Sequence, residues 1–253
     1  MFRPRIITTL LLRNLGLVKT VGFKSPKYIG DPINAVKIFN DLKADELVFL
    51  DILASKEKRV VSLDFVLKVG DEANMPFSVG GGIRTIADIR SILRAGAEKV
   101  VISTFAAETP SFIYSAAKEF GSSTITVCID VKKKVLGKQQ VYIYGGSKST
   151  DMNPVSFAKI MEENGAGELI INSIDRDGSM VGYDIELIRA VSDSVTIPVV
   201  ALGGAGKLED LNGAVKDGHA SAVAAGSLFV FHGPRRAVLI NYPQPEELRN
   251  IFR

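Results

Sequence analysis

The sequence predicts an α/β fold: a single-domain (βα)8 TIM barrel built from two similar half-barrels, at about residues 1–122 and 123–253. Three observations carry that expectation. Short β-prone apolar runs alternate with longer helical patterns, and eight such units in 253 residues fit a closed parallel barrel. The stretch Pro76–Thr104 (PFSVGGGIRTIADIRSILRAGAEKVVIST) reads strand, glycine turn, helix, strand, and it recurs as Pro198–Gly226 (PVVALGGAGKLEDLNGAVKDGHASAVAAG). One spacing of 122 residues relates the copies: Gly81 pairs with Gly203, Gly82 with Gly204, Asp88 with Asp210, Gly96 with Gly218, and Glu46-Leu47 with Glu168-Leu169. An open doubly wound sheet is the structural alternative, but two equal halves close more naturally into one ring.

In chain order the expected strands are Ile6–Leu12, Leu47–Asp51, Phe77–Val79, Val100–Ile102, Ile125–Asp130, Leu169–Asn172, Val199–Leu202 and Ala222–Ala225. Between them fall helical patterns at Pro32–Leu42, Val60–Gly70, Ile86–Ala95, Ser111–Phe120, Pro154–Asn164, Ile185–Ser192 and Leu208–Lys216. Ile86, Ile89 and Leu93, like Leu208, Leu211 and Val215, form the stripe of a helix lying on a sheet. Gly16–Gly30 reads as a long connection whose glycines permit motion. Lys132–Tyr144 reads as a hairpin turning at Val135-Leu136-Gly137-Lys138, and Asp175-Arg176-Asp177-Gly178 as a charged turn. From Phe229 to Arg253 three prolines suggest irregular chain, with a helical turn around Glu246–Phe252.

Composition narrows the function classes. Hydrophobic residues make up 46% and charged residues 23%, which suits a globular protein with a large core. A net charge of +3 argues against nucleic acid as the partner but suits an anionic small molecule if the charge is local. Cys128 is the one cysteine, so no internal disulfide forms and a reduced, cytoplasmic setting is expected. Ile6–Leu12 is too short for a signal sequence and lacks a small-residue cleavage site, and no run approaches the roughly 20 apolar residues of a membrane span.

Barrel enzymes place their chemistry at the C-terminal ends of the strands. There stand Gly80-Gly81-Gly82 and Gly203-Gly204, each followed by a helix and answered one strand later by Ser103-Thr104 and Gly226-Ser227. One glycine pair is as readily a tight turn as a ligand loop. Two pairs in matching positions point to two cradles of backbone N–H groups, suited to a phosphorylated small molecule with a phosphate at each end. Asp130 ends an otherwise apolar strand and is the candidate catalytic acid or base. Asp51, Asn172 and Asp177 end other strands or their turns, and Lys19 in the first connection could reach a bound anion; they are the candidate substrate contacts. Solvated turn or loop residues are the plainer reading of Asp177 and Lys19.

PFSVGGGIRT, SIDRDGSMVGYD and GGAGK resemble the cyclase subunit of imidazole glycerol phosphate synthase, and the likeness runs from Arg5 to about Phe231. The resemblance implies a barrel that takes ammonia from a glutaminase subunit docked at its N-terminal face. It also implies conversion of a bis-phosphorylated nucleotide to imidazole glycerol phosphate in histidine biosynthesis, with no metal or organic cofactor. The family's strand-five aspartate falls on Asp130, but its strand-one aspartate falls on Leu11, which can neither exchange a proton nor hold an ammonia-derived cation. Serines of the family's pattern fall on Leu202 and Gly226.

At the opposite end Arg5, Glu46, Lys99 and Glu168 each precede an apolar strand, so they ring the N-terminal opening as two cations and two anions. The plain reading is a salt-bridge plug. The resemblance implies the family's ammonia gate, with Glu98 on a partner-facing position. A kept gate with a broken carboxylate pair suggests a paralogue that passes ammonia to another acceptor. Such paralogues resembling the family occur in surface-polysaccharide pathways, where a sugar amidotransferase makes an acetamidino group. The alternatives are a genuine cyclase in which Asp51 or a water covers for Leu11, and a non-catalytic scaffold that binds a phosphate ester.

Overall fold

The computed structural model describes residues 3–134 and 137–252. Eight parallel strands run in sequence order around a ring: β1 (Arg5–Arg13), β2 (Glu46–Asp51), β3 (Phe77–Gly80), β4 (Lys99–Ile102), β5 (Ile125–Lys133), β6 (Glu168–Ser173), β7 (Val199–Leu202) and β8 (Ala222–Ala225). β8 returns to β1 with Ala222 opposite Arg5, which closes the barrel. The expected fold class is therefore observed. Outside lie α1 (Pro32–Asp41), α2 (Leu63–Glu72), α3 (Ile86–Arg94), α4 (Ser111–Phe120), α5 (Pro154–Glu163), α6 (Ile185–Ser192), α7 (Leu208–Lys216) and α8 (Pro245–Ile251). Among the described residues no helix is long and apolar enough to cross a membrane.

Strand alternation divides the core in two. Outward-facing residues such as Leu47, Phe49, Ile102 and Ile171 pack under the helices with Phe39, Ile89 and Phe157. Inward-facing Ile7, Val48, Val101, Cys128, Ile170, Val200, Ala222 and Ala224 fill the lumen. The short side chains on β8 keep that filling thin on one side.

Local signals fix where the helices begin. Asp31 accepts from Asn34 N at 2.8 Å ahead of Pro32, and Asn153 accepts from Val155 N at 2.9 Å ahead of Pro154. Asp88 accepts from the backbone N–H groups of Arg84 and Thr85, and Asp210 from those of Gly206 and Lys207, so the 122-residue spacing carries the same cap twice. α2 starts at Leu63 rather than Val60, because Ser62 caps it by accepting from Phe65 N.

Four segments differ from expectation. Gly16–Gly30 is a β-hairpin, Gly16–Val21 paired with Lys24–Gly30, rather than a loose connection. Its two-residue turn, Gly22-Phe23, holds positive φ at both positions, the geometry that matches strand twist. Gly16–Val21 also pairs with the end of β1, which explains why β1 runs on to Arg13. After α7, a small hairpin (Phe231–His232 with Ala237–Val238) orders part of the expected irregular tail. One-turn helices at Thr104–Glu108 and Ser227–Val230 follow β4 and β8. In the β5 hairpin Lys133 faces Gln139; the turn positions Val135 and Leu136 lie outside the described residues.

Candidate functional site

A cavity of about 320 Å³ opens at the C-terminal ends of the strands. Every sequence-proposed residue of that face lines it: Gly81 and Gly82 after β3, Ser103 and Thr104 after β4, Asp130 on β5, and Gly203 and Gly204 after β7. Gly226 and Ser227 after β8, with Lys19, Asp51, Asn172 and Asp177, complete the wall. Leu11, Leu50, Val101, Cys128 and Leu202 give it an apolar floor.

The glycine loops have a steric cause as well as room for a ligand. Gly81, Gly82, Gly203 and Gly204 all have positive φ. A Cβ on Gly82 would overlap the Arg59 carbonyl, and one on Gly204 the Gly182 carbonyl. Those contacts require the glycines for the turns themselves, whatever lies in the cavity beside them. Of the hydroxyls beside them, Ser103 Oγ donates to Asp130 Oδ2 at 3.3 Å, while Thr104 Oγ1 accepts from Tyr144 N at 3.1 Å and keeps its own O–H to donate. An anion there could be met by that hydroxyl as well as by backbone N–H groups.

Asp130 is buried, and burial lifts its carboxyl to about 6, against the opposing hydrogen bonds from Asn172 and Ser103. Asn172 Nδ2 donates to its Oδ1 at 3.0 Å. Cys128 Sγ approaches the same oxygen at 3.7 Å, and burial pushes that thiol well up. An acid or base titrating near neutrality at the end of a barrel strand is placed for proton transfer.

Lys19 is reached by no composition signal, yet the hairpin folds it under the mouth. Burial lowers its amine to about 8, with Asp177 opposing, and its Nζ donates to Thr9 O at 2.7 Å. Asp177 is held by Thr20 Oγ1 at 3.0 Å, and Gly22 N donates to the Asp177 carbonyl at 2.9 Å. The hairpin is thus latched to the turn after β6.

Asp51 is committed elsewhere. Arg59 Nη1 donates to its Oδ2 at 2.6 Å, while Leu53 N and Ala54 N donate to its Oδ1. That network organises the loop after β2 and makes Asp51 a poor substitute base for Leu11. Arg59 carried no signal in the sequence, because nothing local marks its pairing with a residue one loop away. Arg13, Lys56 and Arg84, unlike Arg59, line the cavity, and the sequence reading missed them as well. Among the described residues no group of three or more His, Cys, Asp or Glu side chains could hold a metal ion.

At the other end the four charged residues meet in one ring. Arg5 donates to Glu46 at 2.5 Å and to Glu168, and Lys99 reaches Glu168 at 3.1 Å and Glu46 at 3.8 Å. Ser78 Oγ adds a hydrogen bond to Glu46 at 3.3 Å. Both glutamates are buried while Arg5 is half-exposed. Burial works against the Arg5 charge, but Glu168 and Glu46 overcome it and hold its pKa above the ordinary value.

A family model described as histidine biosynthesis protein matches residues 5–234. A Leptospira interrogans protein provisionally named imidazole glycerol phosphate synthase subunit HisF is 45% identical over 253 residues, covering 100% of both chains. A Pseudomonas aeruginosa protein provisionally named as the hisF2 form of that subunit is 45% identical over 248 residues, 98% of this chain and 99% of its own. A Vibrio vulnificus protein, provisionally the hisF3 form, is 44% identical over 253 residues, 100% of this chain and 97% of its own.

Proposed function

The chain belongs to the histidine biosynthesis protein family as a HisF-type barrel, and from that premise we propose that it accepts ammonia from a glutaminase subunit and delivers it to an acceptor other than the cyclase substrate. One contrast carries the reading. The ring of Arg5, Glu46, Lys99 and Glu168 is complete, whereas the mouth presents Leu11 where a second working carboxylate would stand opposite Asp130. The glutaminase docks at the N-terminal face, around the ring. A sugar amidotransferase is the acceptor enzyme in this reading, turning an acetamido group of a surface sugar into an acetamidino group in the cytoplasm. The numbered names hisF2 and hisF3 among the relatives fit a paralogue. The glycine loops hold a phosphorylated small molecule, and Asp130 handles its proton. Residues 1–122 and 123–253 act as two half-barrels, a division supported by the matched caps of Asp88 and Asp210 and the matched glutamates Glu46 and Glu168.

A genuine cyclase is the second reading, favoured by the gathering of both glycine loops and Asp130 around one cavity. An ammonia-dependent cyclase assay on the purified chain, at high ammonium, separates the two. The expected result is no turnover above background from a folded protein that still binds phosphate esters. Turnover well above background would return the chain to histidine biosynthesis and overturn the delivery reading.

A further inference from the structure

Arg236 belongs to the small hairpin near the C-terminus, but its side chain works on another loop. Its Nη1 donates to Gly178 O at 3.1 Å and its Nη2 to Ser179 O at 2.9 Å. One planar guanidinium thus grips two consecutive carbonyls of the turn after β6, a fork that a lysine cannot copy. Its own backbone closes the hairpin turn, with the N–H donating to Gly233 O at 3.0 Å and φ at 49°. Glycine suits a left-handed position of that kind, and an arginine there is held against the backbone's preference. Such strain gathers where a side chain has a task. Position 236 also lies past residue 234, where the family match ends.

The tail does not need this clamp. Leu239 N donates to Val230 O at 3.0 Å, Asn241 N to Phe229 O at 2.9 Å, and the Tyr242 hydroxyl to Ile6 O at 3.0 Å. The clamped turn, by contrast, carries the first hairpin. Gly22 N donates to Asp177 O at 2.9 Å, and Thr20 Oγ1 to Asp177 Oδ2 at 3.0 Å. Gly178 packs so closely that a Cβ on it would overlap the Thr20 carbonyl. Thr20 follows Lys19, which is buried in the cavity wall. Contacts therefore run from Arg236 through Gly178 and Ser179 to Asp177, Thr20 and Lys19.

We propose that Arg236 is a positioning residue of the mouth: by gripping the turn after β6 it keeps the first hairpin seated, and so keeps Lys19 and Asp177 in the cavity wall. Arg236 does not itself line the cavity. If it fastened only its own hairpin, its loss would loosen the tail and leave Lys19 in place. Only the consequence for a ligand rests on the phosphate-ester reading of the mouth.

The test follows amide hydrogen exchange by NMR in the full chain, for the wild type, R236M, R236K and R235M. The last removes the exposed arginine next door. In R236M the Gly22 amide exchanges about tenfold faster, as expected for the loss of hydrogen bonds from a charged donor. Acetylation of Lys19 by an amine-directed reagent accelerates by about the same factor. The Leu239 and Asn241 amides keep their rates. R236K, a point charge in place of the fork, falls between, and R235M matches the wild type. A second arm uses fructose bisphosphate, a sugar with a phosphate at each end, which binds R236M about tenfold more weakly than the wild type. No binding by either protein removes the phosphate-ester reading and leaves the amides to decide. Four results overturn the proposal: an unchanged Gly22 amide in R236M, loosening of the tail amides instead, equal acceleration at every site, or measurable and equal binding of the bisphosphate by both proteins.

Discussion

Lys19 occupies the space that a side chain on residue 226 would fill. A Cβ built on Gly226 runs into Lys19 Nζ and stands 2.9 Å from the Thr9 carbonyl, the group to which that Nζ donates. The two positions are therefore chosen together: a bare residue on the β8 loop admits a buried amine from the first hairpin. Gly226→Ser expels Lys19 from its seat, and the amine pKa climbs from about 8 back toward the ordinary 10.5. A ¹³C-methylated-lysine titration reads this directly; an unmoved Lys19 midpoint would refute the coupling.

Asp130 makes stability depend on pH in a stated direction. Its folded pKa, about 6, lies above the ordinary 3.8, so the ionised form is disfavoured in the folded state. Its contribution is fully present below about pH 4 and is lost as pH rises through about 6. Relative to the wild type, Asp130→Asn gains up to about 3 kcal/mol between pH 4 and pH 7. Denaturant unfolding of both proteins at the two pH values checks it.

The ring of Arg5, Glu46, Lys99 and Glu168 is a stability element in its own right. Arg5→Met leaves Glu46 and Glu168, both buried, with Lys99 as their remaining cation. The cost is about 1–3 kcal/mol, less than for a fully buried pair because Arg5 keeps part of its surface in water. Urea unfolding measures that loss. With the glutaminase bound, the same variant loses coupling between glutamine hydrolysis and delivery, which a comparison of released and transferred ammonia detects.

Leu11→Asp returns a carboxylate to the floor of the mouth. On the delivery reading the wild-type protein is expected to show no ammonia-dependent cyclase turnover, and the variant to gain at least about a hundredfold over that background, the low end of what one acid or base contributes. If L11D stays inactive while L11D combined with L202S and G226S turns over, the other two departures also separate this mouth from a cyclase.

Gly82→Ala and Gly204→Ala each drive a methyl group into a neighbouring carbonyl at positive φ, and each costs about 3 kcal/mol. Gly121→Ala is the control for backbone strain alone, since φ there is also positive but nothing lies within 4 Å of the added Cβ. Thermal midpoints that fall equally for all three would show that crowding is irrelevant.

The barrel was legible because its signals are local and repeated. Mostly apolar strands of three to seven residues and the spacing from Gly81 to Gly203 give the ring and its order. The cavity wall followed, since polar residues and glycines at the C-terminal ends of barrel strands gather around the mouth. Side-chain partners left no such trace. Asp51 meets Arg59 across the loop after β2, and Asp130 meets Ser103 and Asn172 across neighbouring strands, contacts that no local pattern marks. The first hairpin was missed because its turn uses Phe23 at positive φ, which a turn-residue search passes over. The meaning of Leu11 came from family resemblance alone; a leucine ending a strand carries no chemical signal of its own.

Closure of β8 on β1 also sets a timetable. Arg5–Thr8 finds its partners in Ala222–Ala225, and Tyr242 then donates its hydroxyl to Ile6 O at 3.0 Å while accepting from Asp45 N. On a ribosome adding roughly 5–20 residues each second, that edge of the first strand waits on the order of ten to forty seconds for its mate. Throughout the wait it is a bare strand edge with apolar neighbours, open to chaperones and to other nascent chains. Synthesis of Ala222–Tyr242 therefore decides when Arg5–Thr8 becomes safe.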